Sequence, residues 1–139
     1  MKILFVCWAN VGRSQMAAAF YNKFTSTDTS SSAGTDVDYA GETLLERRNR
    51  MGGTYTIEAM KEEGIDLSDS KRTLVTKEMI KEYDKIINMA QLEYTPEWLS
   101  NSPNYIRWEV SDPGGKNLEL TLTARDIVKF KVSELLKIT

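Results

Sequence analysis

Lys2-Ile3-Leu4-Phe5-Val6-Cys7-Trp8-Ala9-Asn10-Val11-Gly12-Arg13-Ser14-Gln15-Met16-Ala17-Ala18-Ala19-Phe20 is the stretch on which the fold turns. Lys2 to Val6 is a short run rich in branched and aromatic side chains that meets a polar, glycine-containing segment, so it reads as a buried strand ending at Cys7. From Gln15 to Phe24, three alanines, Met16 and Phe20 fall at helical spacing, and Ser14 suits the N-cap of that helix. Strand, short loop, helix is the opening of an α/β unit.

The same alternation continues outward. Ser32-Ala33-Gly34-Thr35 fits a short second strand finishing in a turn, and Lys85 to Met89 and Tyr105 to Val110 read as a third and a fourth. Between them, Thr54 to Glu63 carries Ile57 and Met60 on one face and ends at Gly64, and Thr76 opens another short helix. Leu118 or Leu120 to Leu136 closes the chain with Ile127, Val128, Val132 and Leu135 at helical spacing. Asp36 to Gly53 is polar, with a charged helical patch at Glu42 to Arg50, and reads as an excursion from the sheet's edge. Alternation of this kind predicts a parallel sheet covered on both faces, whose ligands bind beyond the carboxyl ends of the strands. The segments Cys7 to Ser14 and Ser111 to Gly115 both fall at such ends.

With 139 residues, 41% of them hydrophobic, the chain suits one domain spanning 1–139. Its net charge of -2 argues against binding nucleic acid by charge alone, so any positive site must be local. No apolar run approaches the length of a membrane span or of a signal peptide's core, and a cytoplasmic protein without a membrane partner is expected. Cysteine occurs once and histidine not at all. That combination excludes an internal disulfide, a cysteine zinc cluster, and Ser-His-Asp or Cys-His catalysis. No metal and no cofactor is called for.

Cys7 and Arg13 bracket a loop between a strand end and a helix N-terminus, and that placement suits an oxyanion. The backbone N–H groups of Trp8, Ala9, Asn10, Val11, Gly12, Arg13 and Ser14 can hold anion oxygens while the helix dipole adds positive potential. Arg13 can grip two oxygens in a planar fork. A thiolate at Cys7 is stabilised by the same surroundings, and Asn10, mid-loop, tolerates left-handed backbone. A lone cysteine at a strand end is more often a small buried hydrophobe, and Cys followed six positions later by Arg arises by chance roughly once in twenty cysteines. The context carries the reading. With no histidine, the proton for a leaving oxygen must come from a carboxylic acid, and Asp112, on a turn held extended by Pro113, is the candidate; Asp-Pro-Gly-Gly is also an ordinary turn.

Val6-Cys7 with Asn10, then Arg13-Ser14-Gln15-Met16-Ala17, resembles the phosphate-binding loop of the low-molecular-weight protein-tyrosine phosphatases and arsenate reductases. Ser32-Ala33-Gly34-Thr35, Met60 to Asp66, Lys85 to Met89, and Trp108 through Asp112-Pro113 resemble later blocks of that family in order. The resemblance implies a phosphotyrosine phosphatase I-like, flavodoxin-like three-layer sandwich with a four-stranded parallel sheet. It also implies Cys7 as nucleophile, Arg13 as oxyanion clamp, Asp112 as general acid, and a cysteinyl-phosphate intermediate hydrolysed by water.

Two departures bear on the branch. The phosphatases usually place aromatic residues directly after Asp-Pro, whereas this chain has Gly114-Gly115-Lys116, closer to the reductases; Trp8 or Tyr39 is left to supply an aromatic wall. The thioredoxin-linked reductases relay oxidation along further cysteines, which are absent here, so a reductase built on this chain needs an external small thiol. Of the potassium ligands some reductases use, Asn10, Ser32 and Asp66 have counterparts, but Ala18 stands at the acidic helix position. The expectations are therefore a phosphomonoesterase acting on a phosphorylated protein or small phosphomonoester, an arsenate reductase using a small thiol, and, third, an oxyanion-binding module without turnover.

Overall fold

The computed structural model describes residues 1–114 and 117–137. Four strands, β1 (Ile3–Cys7), β2 (Ser31–Gly34), β3 (Lys85–Asn88) and β4 (Tyr105–Arg107), form one sheet in the order β2-β1-β3-β4. All three pairings are parallel, with Val6 opposite both Ala33 and Asn88. The helices are α1 (Arg13–Thr25), α2 (Leu44–Met51), α3 (Thr56–Lys61), α4 (Lys77–Ile80), α5 (Glu97–Ser100) and α6 (Leu118–Lys137). This is the flavodoxin-like α/β sandwich expected from the sequence.

Strand β1 is buried along its whole length, and its alternate residues serve two separate cores. Ile3, Phe5 and Cys7 point to the side where Met16, Ala17 and Phe20 of α1, Met60 of α3 and Val128 and Val132 of α6 gather. Leu4 and Val6 point to the other, against Val75, Ile80 of α4 and Leu99 of α5. The chain leaves β1 toward β2 on one side and later returns to pair β3 on the other, which makes the carboxyl end of β1 the topological switch point. Cys7 is the last residue of that strand.

Several boundaries differ from the sequence reading. Helix α1 begins at Arg13 with Gly12 as its N-cap and no side-chain cap, so Ser14 lies inside the first turn and is not the cap. Its hydroxyl is claimed instead by Cys7 and Asn10, a tertiary demand that outweighs the local preference of serine for caps. Strand β4 stops at Arg107, short of the expected Val110, and α3 occupies only the middle of Thr54 to Glu63. Gly115 and Lys116, part of the turn read after Pro113, lie outside the described residues.

Segment 36–53 is tied to the chain that follows α3. Thr43 bridges Lys71 in antiparallel fashion, the N–H of Gly41 donates to the Arg72 carbonyl, and that of Arg72 donates to the Glu42 carbonyl. Thr43 then starts α2 with a capping box, its hydroxyl accepting from the Glu46 N–H while the Glu46 carboxylate accepts from the Thr43 N–H.

Candidate active site

Cys7 is 2% exposed, and its Sγ lies 3.0 Å from the Ser14 hydroxyl. Asn10 is fully buried and has a φ of 55°, the left-handed conformation that lets a short loop curl back on itself. Its side chain binds in three directions. Nδ2 donates to Ser14 Oγ at 2.8 Å and to Ser32 Oγ at 3.0 Å, and Oδ1 accepts from the Thr73 N–H at 2.7 Å.

No acceptor among the described residues takes the backbone N–H of Ala9 through Gln15; the first such bond of α1 is Met16 N–H to the Gly12 carbonyl at 3.0 Å. A helix start accounts for the last few of these donors, but not for Ala9, Asn10 and Val11. A loop of donors without protein acceptors, half-buried to buried and running into a helix N-terminus, can donate to an anion's oxygens.

Arg13 is 3% exposed and anchored on its far edge. Nη1 donates to the carbonyls of Met89, just past β3, and of Val110 at 3.0 Å. Nη2 reaches Gln91 Oε1 at 3.3 Å and lies 3.5 Å from Asp112 Oδ2, leaving Nε–H with no acceptor among the described residues. Asp112 is more open, its side chain 30% exposed, and its Oδ1 accepts from the Gly114 N–H at 2.9 Å. Gln91 Nε2 donates to Asp112 Oδ2 at 3.5 Å, so this amide spans the guanidinium and the carboxylate.

The fold thus brings Cys7, the loop Trp8 to Ser14, Arg13 and Asp112 to one place. Trp8 and Asp112 line a common pocket, and Trp8 stacks on Tyr94 with centroids 4.9 Å apart. Tyr39, the other aromatic expected as a wall, is exposed and lies instead beneath the Arg50 guanidinium at 4.1 Å; Tyr55 lines the pocket in its stead. Asn10 and Ser32 are joined directly, whereas the Asp66 carboxylate turns onto Ser68, away from a shared ligand set with them. No group of three or more His, Cys, Asp and Glu side chains suited to a metal occurs among the described residues.

Arg72 and Gln91 carried no local signal in the sequence. Arg72 is 2% exposed and donates to the Ala9 carbonyl through Nε at 3.2 Å and Nη2 at 2.8 Å, while Nη1 pairs with Asp38 at 2.7 Å and Glu42 at 2.6 Å. One buried guanidinium therefore ties segment 36–53 to the loop after Cys7. The Arg72 hydrogen bond, helped by the charges of Arg72 and Arg50, holds the Asp38 carboxyl at about 2, and the Arg50 hydrogen bond followed by that of Arg72 holds Glu42 below its usual range. Both carboxyls titrate lower when folded than when unfolded. Their contribution to stability is fully present above about pH 4 and is lost as pH falls from there toward about 2. The urea midpoint of the wild type is expected to drop more steeply across that window than that of Asp38→Asn; parallel pH profiles would remove Asp38 from the tether.

With the geometry in place, the chain can be set beside known proteins. The family model described as low molecular weight phosphotyrosine protein phosphatase matches residues 2–137, and the chain belongs to that family of enzymes with a catalytic cysteine. It is 28% identical over 138 residues to a glutaredoxin arsenate reductase of Synechocystis sp., covering 97% of this chain and 95% of the relative. The structure of a low molecular weight protein tyrosine phosphatase from T. tengcongensis superposes with a TM-score of 0.79 at 24% identity, over 100% of this chain and 99% of that one. A structure described as an arsenate reductase in the phosphate binding state gives 0.72 at 28% identity, over 100% of both chains. No helix among the described residues is long and apolar enough to cross a membrane.

Proposed function

We propose that this protein is a phosphomonoester hydrolase of the protein-tyrosine-phosphatase type, with Cys7 as nucleophile, Arg13 as clamp and Asp112 as general acid. The observation that carries it is the run of N–H donors from Ala9 to Gln15, free of protein acceptors, around a buried sulfur. A bound phosphoryl group accepts those N–H bonds and that of Arg13 Nε, which stabilise charge on the equatorial oxygens as the displacement proceeds. Sγ attacks phosphorus opposite the leaving oxygen, Asp112 gives that oxygen a proton, and the cysteinyl-phosphate is cleaved when Asp112 takes a proton from water. The Ser14 hydroxyl, 3.0 Å from Sγ, supports the thiolate as it is released again.

A second reading, arsenate reduction, has comparable support. The relative from Synechocystis sp. is an arsenate reductase over nearly the same length, and Gly114 stands where phosphatases carry an aromatic side chain. With no other cysteine in the sequence, both reducing electrons must come from external thiols.

Assaying aryl phosphate hydrolysis beside arsenite formation, with glutathione, mycothiol or bacillithiol supplied, separates the two. Multiple turnover of aryl phosphate without thiol is expected. Asp112→Asn should slow phenyl phosphate by about a hundredfold and p-nitrophenyl phosphate far less, since only the poor leaving group depends on the proton. Equal losses would remove Asp112 from the acid role, and thiol-dependent arsenite without ester hydrolysis would establish the reductase.

A further inference from the structure

Among the described residues, the pocket beside the Cys7 loop holds one cation that the chemistry above does not use. Arg47, on α2, lines it together with Trp8, Tyr55, Thr56 and Asp112. The neighbouring arginines all have carboxylates: Arg48 pairs with Glu58, Arg50 with Glu42 and Asp38, and Arg72 with the same two. Arg47 has none among the described residues. Its hydrogen bond is Nη1 to the Gly52 carbonyl at 2.9 Å, at the end of its own helix, so its other N–H groups are left undirected.

Such a guanidinium is poorly placed on its own terms. It is half-buried, and burial, followed by the charges of Arg72 and Arg50, pushes it below the usual arginine range against the attraction of Asp38 and Glu42. A cation held in that setting is relieved by an anion, and the wall it occupies faces the space where the organic part of a substrate must lie. The rest of that space is mixed, lined by the aromatic residues Trp8 and Tyr55 and by Thr54 and Thr56.

The geometry points to Arg47 as a specificity residue that binds a carboxylate on the organic group of the substrate, so that the ester hydrolysed at Cys7 is a phosphorylated acid. This rests on the Cys7 loop being the phosphoryl site, and the test separates the two. Benzylphosphonate, 4-carboxybenzylphosphonate and the uncharged 4-carbamoyl analogue are titrated calorimetrically into the wild type, Arg47→Gln and Arg48→Gln, and each is scored for protection of Cys7 against alkylation. In the wild type the carboxylate is expected to improve affinity about tenfold over both other ligands. Arg47→Gln should abolish that gain while binding benzylphosphonate as before, and Arg48→Gln, which removes the same charge one residue away, should retain it. Protection by benzylphosphonate with no gain from the carboxylate, or a gain that survives in Arg47→Gln, overturns the assignment of Arg47 and leaves the phosphoryl site standing. Failure of every phosphonate to protect Cys7 overturns the phosphoryl site, and Arg47's role with it.

Discussion

Cys7→Ser is expected to lower aryl phosphate hydrolysis by at least about a thousandfold while leaving the fold and phosphate binding in place. Serine is nearly the same shape, and the site it enters is buried beside Ser14 and Asn10, so the loop keeps its hydrogen bonds. What changes is the acid–base chemistry. A thiol can be held as a thiolate by amides, a helix N-terminus and a guanidinium, but a hydroxyl needs a base to take its proton, and this sequence contains no histidine. In the proposed mechanism Asp112 cannot fill both posts, because there it carries the proton for the leaving oxygen.

Binding should respond in the opposite direction. The amides of Ala9 to Gln15 and the Arg13 guanidinium are untouched by the exchange, and the smaller hydroxyl leaves the anion's room intact. Calorimetry is therefore expected to show phosphate bound to Cys7→Ser at least as tightly as to the wild type. Retained hydrolysis would exclude Cys7 as nucleophile, and loss of binding together with activity would show that the exchange broke the loop.

How far the sequence alone reaches depends on the range of the interactions involved. The strand ending at Cys7, the left-handed Asn10 and the helix after Arg13 follow from propensities and spacing within a few residues, and the structure shows all three. Ser14 has the local look of a cap but is not one, because its partner, the Cys7 sulfur, is brought to it by the curl of the loop rather than by the helix. Arg72 and Gln91 were invisible for a related reason. Each acts on residues far along the chain, Arg72 on Ala9 and Gln91 on Arg13, and nothing near either residue distinguishes it from a surface side chain. The sequence reads 36–53 as a polar excursion from the sheet's edge with a charged helical patch, yet Asp38 and Glu42 pair with a buried guanidinium, and Arg47 lines the pocket.

Glycine supplies the sharpest contrast. Gly34 has no positive φ, so its requirement for glycine comes from contact and not from backbone strain. A Cβ there would lie 2.6 Å from the Trp8 carbonyl oxygen, 2.8 Å from the Asn10 nitrogen and 2.8 Å from Val37 Cγ2. Two of those three atoms are backbone of the loop after Cys7. Gly34 cannot easily retreat, because its N–H donates to the Thr73 carbonyl at 2.8 Å and its carbonyl accepts from the Val75 N–H at 2.9 Å. The loop must move instead, and with it the amides proposed to hold the phosphoryl group. Gly34→Ala is expected to lower the unfolding free energy by about 1–3 kcal/mol and kcat/KM by about a hundredfold, since displacements of the order of an ångström at a positioning loop carry losses of that size. Gly12→Ala is the matched control within the loop itself. There the added methyl would meet only Thr56 Oγ1 at 3.6 Å, ordinary contact. Its cost should stay under about 1 kcal/mol, as for alanine at an N-cap. Urea unfolding and kcat/KM measured on both variants decide the matter: if Gly34→Ala matches the wild type in stability and turnover, the close approach of β2 does not shape the anion loop.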